Sequence, residues 1–113
     1  MKFERQLLKG IAPVVTLQIL ANGKMYGYEL SKAIAQKTED ILTLGNGTLY
    51  PLLYNLEAQK LVVASNEIAP SGRKRRYYSI TSKGKKRLEA DKAQLCDLFS
   101  ALKLVFGTAI IPA

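Results

Sequence analysis

The stretch GNGTLYPLLYNLEAQKL, residues Gly45 to Leu61, decides the fold. Its Leu49, Leu52, Leu53 and Leu56 recur at the i, i+3, i+4, i+7 spacing of one buried helical face. Glycines and a proline crowd the start, although glycine is entropically unfavourable in a helix and proline interrupts a helix interior. Such a start suits a helix whose first turn is approached closely from outside. Thr48, Tyr50, Tyr54, Asn55 and Gln59 avoid the leucine stripe and supply a second face of polar and aromatic groups. The major groove of B-form DNA admits one α-helix, and a helix with an apolar face toward its own core and a polar face outward fits it. Gly45 and Gly47 let backbone N–H groups come near phosphate, where the helix dipole also favours an anion. Pro51 abuts the carbonyl of Gly47, four residues earlier, and a glycine there tilts with least strain.

Upstream, Leu7, Leu8, Ile11, Val14, Val15, Leu17, Ile19 and Leu20 make a densely apolar helix, with Pro13 at its first turn or at a kink. Asn22-Gly23-Lys24 ends it. A second helix is expected from about Tyr26 to Lys37, burying Leu30, Ala33 and Ile34, with Gly27 letting a neighbouring backbone come close. Thr38 to Gly45 then connects it to the leucine-striped helix, which continues to about Gln59.

Downstream the period changes. Leu61 to Ser65 and Arg75 to Ile80 are rich in β-branched and aromatic residues, and Ala69-Pro70-Ser71-Gly72 between them is a turn signal, so they form a hairpin. Thr81 or Ser82 caps a last helix, in which Leu88, Leu95 and Leu102 fall seven apart and Leu98 and Val105 fill the alternate seam positions. Asp91 interrupts that seam near its start. The seam lies beyond a domain already completed by three helices and a hairpin, so it is expected to pair with a second chain.

Charge points to the partner. The 113 residues carry a formal +8, and Arg73 to Arg87 holds Arg73, Lys74, Arg75, Arg76, Lys83, Lys85, Lys86 and Arg87 without one acid. That is the footprint of a polyanion-binding surface, and a glycine-containing turn followed by four cations can reach along a phosphate backbone or into a minor groove. With no histidine, no paired carboxylates, no P-loop and no dinucleotide fingerprint, the chain does not look like an enzyme, and neither a cofactor nor a metal is expected. The lone Cys96 cannot form an internal disulfide and is expected as a small buried apolar residue. No apolar run approaches bilayer length and the start lacks a signal-peptide pattern, so a cytoplasmic protein without a membrane role is expected.

The expected fold is therefore mainly α with a β-hairpin wing, an α+β winged helix-turn-helix over residues 1–81. A C-terminal dimerisation helix and tail follow over residues 82–113. Candidate DNA contacts are Tyr28, Thr48, Tyr50, Pro51, Tyr54, Asn55, Arg73, Lys74, Arg75, Arg76 and Lys83, and the candidate dimer interface is Leu88, Leu95, Leu98, Leu102 and Val105. The alternative is a winged-helix module that binds protein without a specific operator, but such a module needs neither so basic a wing nor a glycine-opened helix. RNA recognition would ask for aromatics on a strand platform, whereas Tyr77 and Tyr78 are the only adjacent pair and one of them must face inward.

LLKG at Leu7 to Gly10, YGYEL at Tyr26 to Leu30, GTLYPLLYNLE at Gly47 to Glu57 and GRKRRYYSITSKG at Gly72 to Gly84, in this order and spacing, closely resemble the PadR family of bacterial transcriptional regulators. The resemblance covers about residues 7 to 90. It implies a homodimeric winged-helix repressor on an inverted-repeat operator, often released by a small phenolic or hydrophobic compound, here expected to be a small aromatic or phenolic effector, in the smaller subfamily with a single C-terminal helix. Without tryptophan, a pocket of stacked indoles is excluded, and Leu8, Ile11, Val15, Phe99 and Phe106 are the expected lining. Two positions depart from the family pattern. Asn55 stands where arginine is usual, exchanging a phosphate-type contact for a side chain able to read adenine. Lys60 stands where glycine commonly ends the recognition helix, which disfavours a left-handed C-cap.

Overall fold

The computed structural model describes residues 3–107. Its helices are α1 (Arg5–Leu20), α2 (Gly27–Lys37), α3 (Asn46–Ala58) and α4 (Ser82–Phe106), and its strands are β1 (Met25–Tyr26), β2 (Val62–Ile68) and β3 (Lys74–Ile80). This is the expected winged helix with a long last helix; the tail from residue 108 lies outside the described residues.

The core forms where the apolar stripes of the first three helices meet the sheet. Leu17 and Leu20 of α1, Leu30 and Ile34 of α2, Leu49 and Leu53 of α3 and Val62 of β2 are fully buried. Each such side chain contributes roughly 1.5–3 kcal/mol by leaving water. Pro13 sits inside α1 rather than at its first turn. The connection between α2 and α3 is pinned by Ser31 Oγ donating to the Leu44 carbonyl at 3.0 Å and by the Leu42 amide donating to Thr38 Oγ1 at 3.0 Å.

The wing is a three-stranded antiparallel sheet in the order β1-β3-β2, not a two-stranded hairpin. Met25 pairs with Tyr78 and Tyr26 with Tyr77, a two-residue strand too short to show a period in sequence. Because neighbours in a strand face opposite sides, Tyr78 enters the core while Tyr77 is buried on the outer face. There the Tyr26 and Tyr77 rings meet edge to face at 5.4 Å, Lys24 Nζ lies 5.8 Å from the Tyr77 ring, and burial pushes the Tyr77 phenol pKa up.

The start of α4 is bolted to the end of α3. Thr81 Oγ1 donates to the Lys60 carbonyl at 2.8 Å and accepts from the Gly84 amide at 3.0 Å. A Cβ at Gly84 would overlap the Leu61 carbonyl oxygen, so glycine is what lets α4 lie this close. Leu88, expected to open a seam with a second chain, is only 4% exposed within its own chain and belongs to the domain core. Heptad spacing marks a covered position but not the chain that covers it. Cys96, expected as a small buried residue, is instead exposed on α4.

Candidate nucleic-acid interface

Helix α3 carries the centre of the site. Its leucines turn inward, and the opposite side exposes Gly47, Thr48, Pro51, Tyr54, Asn55 and Ala58. Tyr54 is 73% exposed, which gives the helix a large aromatic donor with few contacts of its own. Ala58 was not expected here; its small side chain also lies on the exposed face. A Cβ at Gly45 or Gly47 would meet nothing within 4 Å, so packing inside the chain does not require either glycine. Pro51 has no amide hydrogen, which leaves the Gly47 carbonyl without its i+4 donor.

Tyr50 has two roles at once. Half its surface is exposed, and the other half rests on Gly27, where an added Cβ would come within 2.8 Å of the tyrosine oxygen. Gly27 therefore admits a side chain, not a neighbouring backbone as expected. Tyr28, next in α2, is exposed, with Lys32 Nζ 5.7 Å from its ring.

The basic run divides along the strand. Arg73 and Lys74 are exposed at the tip, where Gly72 takes a left-handed φ of 87° and the Ala69 amide donates to the Arg73 carbonyl at 2.8 Å. Arg75 and Arg76 do not extend with them. The Arg75 guanidinium lies 5.4 Å over the Tyr26 ring, with its Nε enclosed and unpartnered among the described residues. On the other face Arg76 Nη2 donates to Glu57 Oε2 at 2.7 Å, and that bond raises the Arg76 pKa above its ordinary value. Arg76 thus shares a cleft of about 470 Å³ with Tyr50, Tyr54, Glu57 and Tyr78. Glu57 was not among the expected site residues. Its partner is 19 positions away, beyond any local pattern.

Lys83 is exposed, but its ammonium donates to the Gln59 carbonyl at 3.0 Å, at the C-terminal end of α3. The left-handed cap disfavoured at Lys60 is nevertheless present, with φ 63°. The Leu61 amide reaches the Leu56 carbonyl and the Lys60 amide the Glu57 carbonyl, each at 2.9 Å, completing a Schellman motif without glycine.

The five residues expected around an effector do not enclose a cavity within one chain. Leu8, Ile11 and Val15 line, with Ile34, Leu42 and Leu44, a crevice of only about 10 Å³, while Phe99 and Phe106 stand exposed on α4. A larger cleft of about 550 Å³ lies instead between α1 and α4, lined by Ile11, Pro13, Val14, Leu95 and Leu98 with Arg87 and Asp91. Among the described residues no group of acids, cysteines or histidines could hold a metal ion, and no helix is long and apolar enough to cross a membrane.

Known proteins share this arrangement. A PadR-like transcriptional regulator of Bacillus cereus superposes with a TM-score of 0.78 at 30% identity, covering 90% of this chain and 97% of its own. An uncharacterised protein of Lysinibacillus sphaericus is 30% identical over 99 residues, 82% of this chain and 91% of its own length. The Escherichia coli transcriptional regulator YqjI is 34% identical over 82 residues, and the match spans 73% of this chain but 38% of that longer protein. Residues 16–90 match the model of the transcriptional regulator PadR-like family. With helix-turn-helix, wing and basic tip in place, the chain belongs to the PadR-like family of transcriptional regulators, DNA-binding proteins and not enzymes.

Proposed function

We propose that this regulator is a homodimeric repressor in the cytoplasm that sets one α3 helix in each of two major grooves of an inverted-repeat operator. The observation that carries this is the exposed Thr48, Pro51, Tyr54 and Asn55 face of α3 beside a wing tip whose Arg73 and Lys74 are exposed and have no ion-pair partner among the described residues. In this role Tyr50, Tyr54 and Asn55 read bases, Tyr28 braces α2 against the backbone, and Arg73 and Lys74 bind phosphates. The exposed part of α4 supplies the dimer contact. Leu98, Phe99, Leu104, Val105 and Phe106 are exposed apolar groups on α4, more than a lone chain normally presents along one helix. A small aromatic effector fits the α1–α4 cleft completed by a second chain, and it releases the operator if it prefers a spacing of the two α3 helices that mismatches the half-sites.

Footprinting on the promoter beside the protein's own gene tests this. Two protected half-sites, about one DNA turn apart, are expected. A Tyr54→Ala, Asn55→Ala variant should lose them while retaining weak binding to scrambled duplex. Protection indifferent to sequence would overturn the operator-binding role.

A further inference from the structure

The two flanks of α3 are not alike in what faces them. On one, Tyr50 and Glu57 look toward Arg76 of the wing. On the other, Thr48, Pro51 and Asn55 share a cleft of about 210 Å³ with Lys9 of α1. Lys9 also borders a second, larger cleft of about 690 Å³, together with Arg5, Gly45, Gly47, Thr48 and Pro51, and no acid lines it. Arg5 and Lys9 are four apart on α1, so they lie on one helical face, and both are exposed. Neither has an ion-pair partner among the described residues, although four other cations of the chain do.

A helix lying in the major groove runs between two phosphate backbones. The wing lies against the first of these flanks, through Arg76 and Glu57, and Arg5 and Lys9 lie on the second. We propose that Arg5 and Lys9 form a second phosphate clamp, gripping the DNA strand across the groove from the one held by the wing. The occupant follows from charge and access: two unpaired cations face an acid-free cleft whose wall at Gly45 and Gly47 has no side chain. Duplex DNA already lying against Thr48 and Pro51 delivers phosphates to that cleft. The clamp rests on DNA binding through α3.

The test is the salt dependence of binding to the footprinted duplex. Each phosphate contact contributes about 0.9 to the slope of log affinity against log salt. Arg5→Gln with Lys9→Gln should therefore lower the slope by about two for each protomer, with an unchanged thermal melt because both side chains are exposed. Arg5→Lys with Lys9→Arg should keep the original slope. Ethylation interference should place the lost phosphates across the groove from those lost in an Arg73→Gln, Lys74→Gln variant. An unchanged slope, or loss of the same phosphates as the wing variant, overturns the clamp and leaves DNA binding intact. Failure of the unaltered protein to bind any duplex overturns both.

Discussion

Glu57 Oε2 and Arg76 Nη2 meet at 2.7 Å, tying the side of the recognition helix to the root of the wing. Half of the Arg76 side chain is solvent-exposed, so the pair adds little to stability. Its effect is on where charges stand: it holds the guanidinium against the side of α3 and keeps a carboxylate beside the exposed face of that helix. Glu57→Gln keeps a hydrogen-bond acceptor and removes the charge. Affinity for scrambled duplex should rise several-fold while operator affinity changes less, so the specificity ratio falls. Titrations on both duplexes check this, and a constant ratio would mean that Glu57 does not discriminate.

The split of the basic run separates two kinds of arginine variant. Arg73→Ala with Lys74→Ala removes the projecting cations and should flatten the salt slope by roughly two for each protomer, weakening all sequences alike. Arg75→Ala removes the side chain stacked on Tyr26, so it should disturb the wing's placement more than the slope. Parallel titrations at several salt concentrations distinguish the two. Equal slopes for the unaltered protein and the Arg73, Lys74 variant would refute a phosphate role for the tip.

At the junction of α3 and α4, backbone geometry gives opposite predictions for neighbouring positions. A left-handed residue other than glycine is disfavoured by about 1 kcal/mol, so Lys60→Gly should stabilise the protein by about that amount in urea denaturation. Gly84→Ala should do the reverse, by at least about 2 kcal/mol, because the new methyl overlaps the Leu61 carbonyl and α4 must shift. A neutral Gly84→Ala would show that the two helices are not held this closely.

What was legible in the chain is what local spacing encodes. The leucine stripe at Leu49, Leu53 and Leu56, the turn at Ala69 to Gly72 and the cap at Thr81 each depend on residues within a few positions, and all three are present. What escaped depends on partners distant in sequence. Met25 and Tyr26 become a strand only because Tyr77 and Tyr78 lie alongside. Arg75 and Arg76 fold back because Tyr26 and Glu57 wait on opposite faces of β3. Lys60 adopts its left-handed turn because the Leu56 and Glu57 carbonyls accept the amides that follow, and Thr81 fixes the Lys60 carbonyl. A repeating apolar period likewise could not tell Leu88, covered by its own domain, from the leucines beyond it.

That difference redraws the dimer seam. Leu95 is partly covered by the domain core, whereas Leu98 is 51% and Val105 74% exposed. If two α4 helices pair, the apolar contact is concentrated from Leu98 onward, with Leu102 between the two exposed positions. Leu98→Glu with Leu102→Glu places two carboxylates per chain in that contact, where burying unpaired like charges is strongly unfavourable. The variant should be monomeric by light scattering and should lose cooperative occupancy of both half-sites. Its thermal unfolding as a monomer should remain cooperative, because the core built on Leu17, Leu30, Leu53 and Leu88 is untouched. Leu88→Glu, in contrast, should unfold the domain itself. A dimer that survives the double substitution would place the pairing surface elsewhere, with the exposed Leu7 of α1 the next position to change.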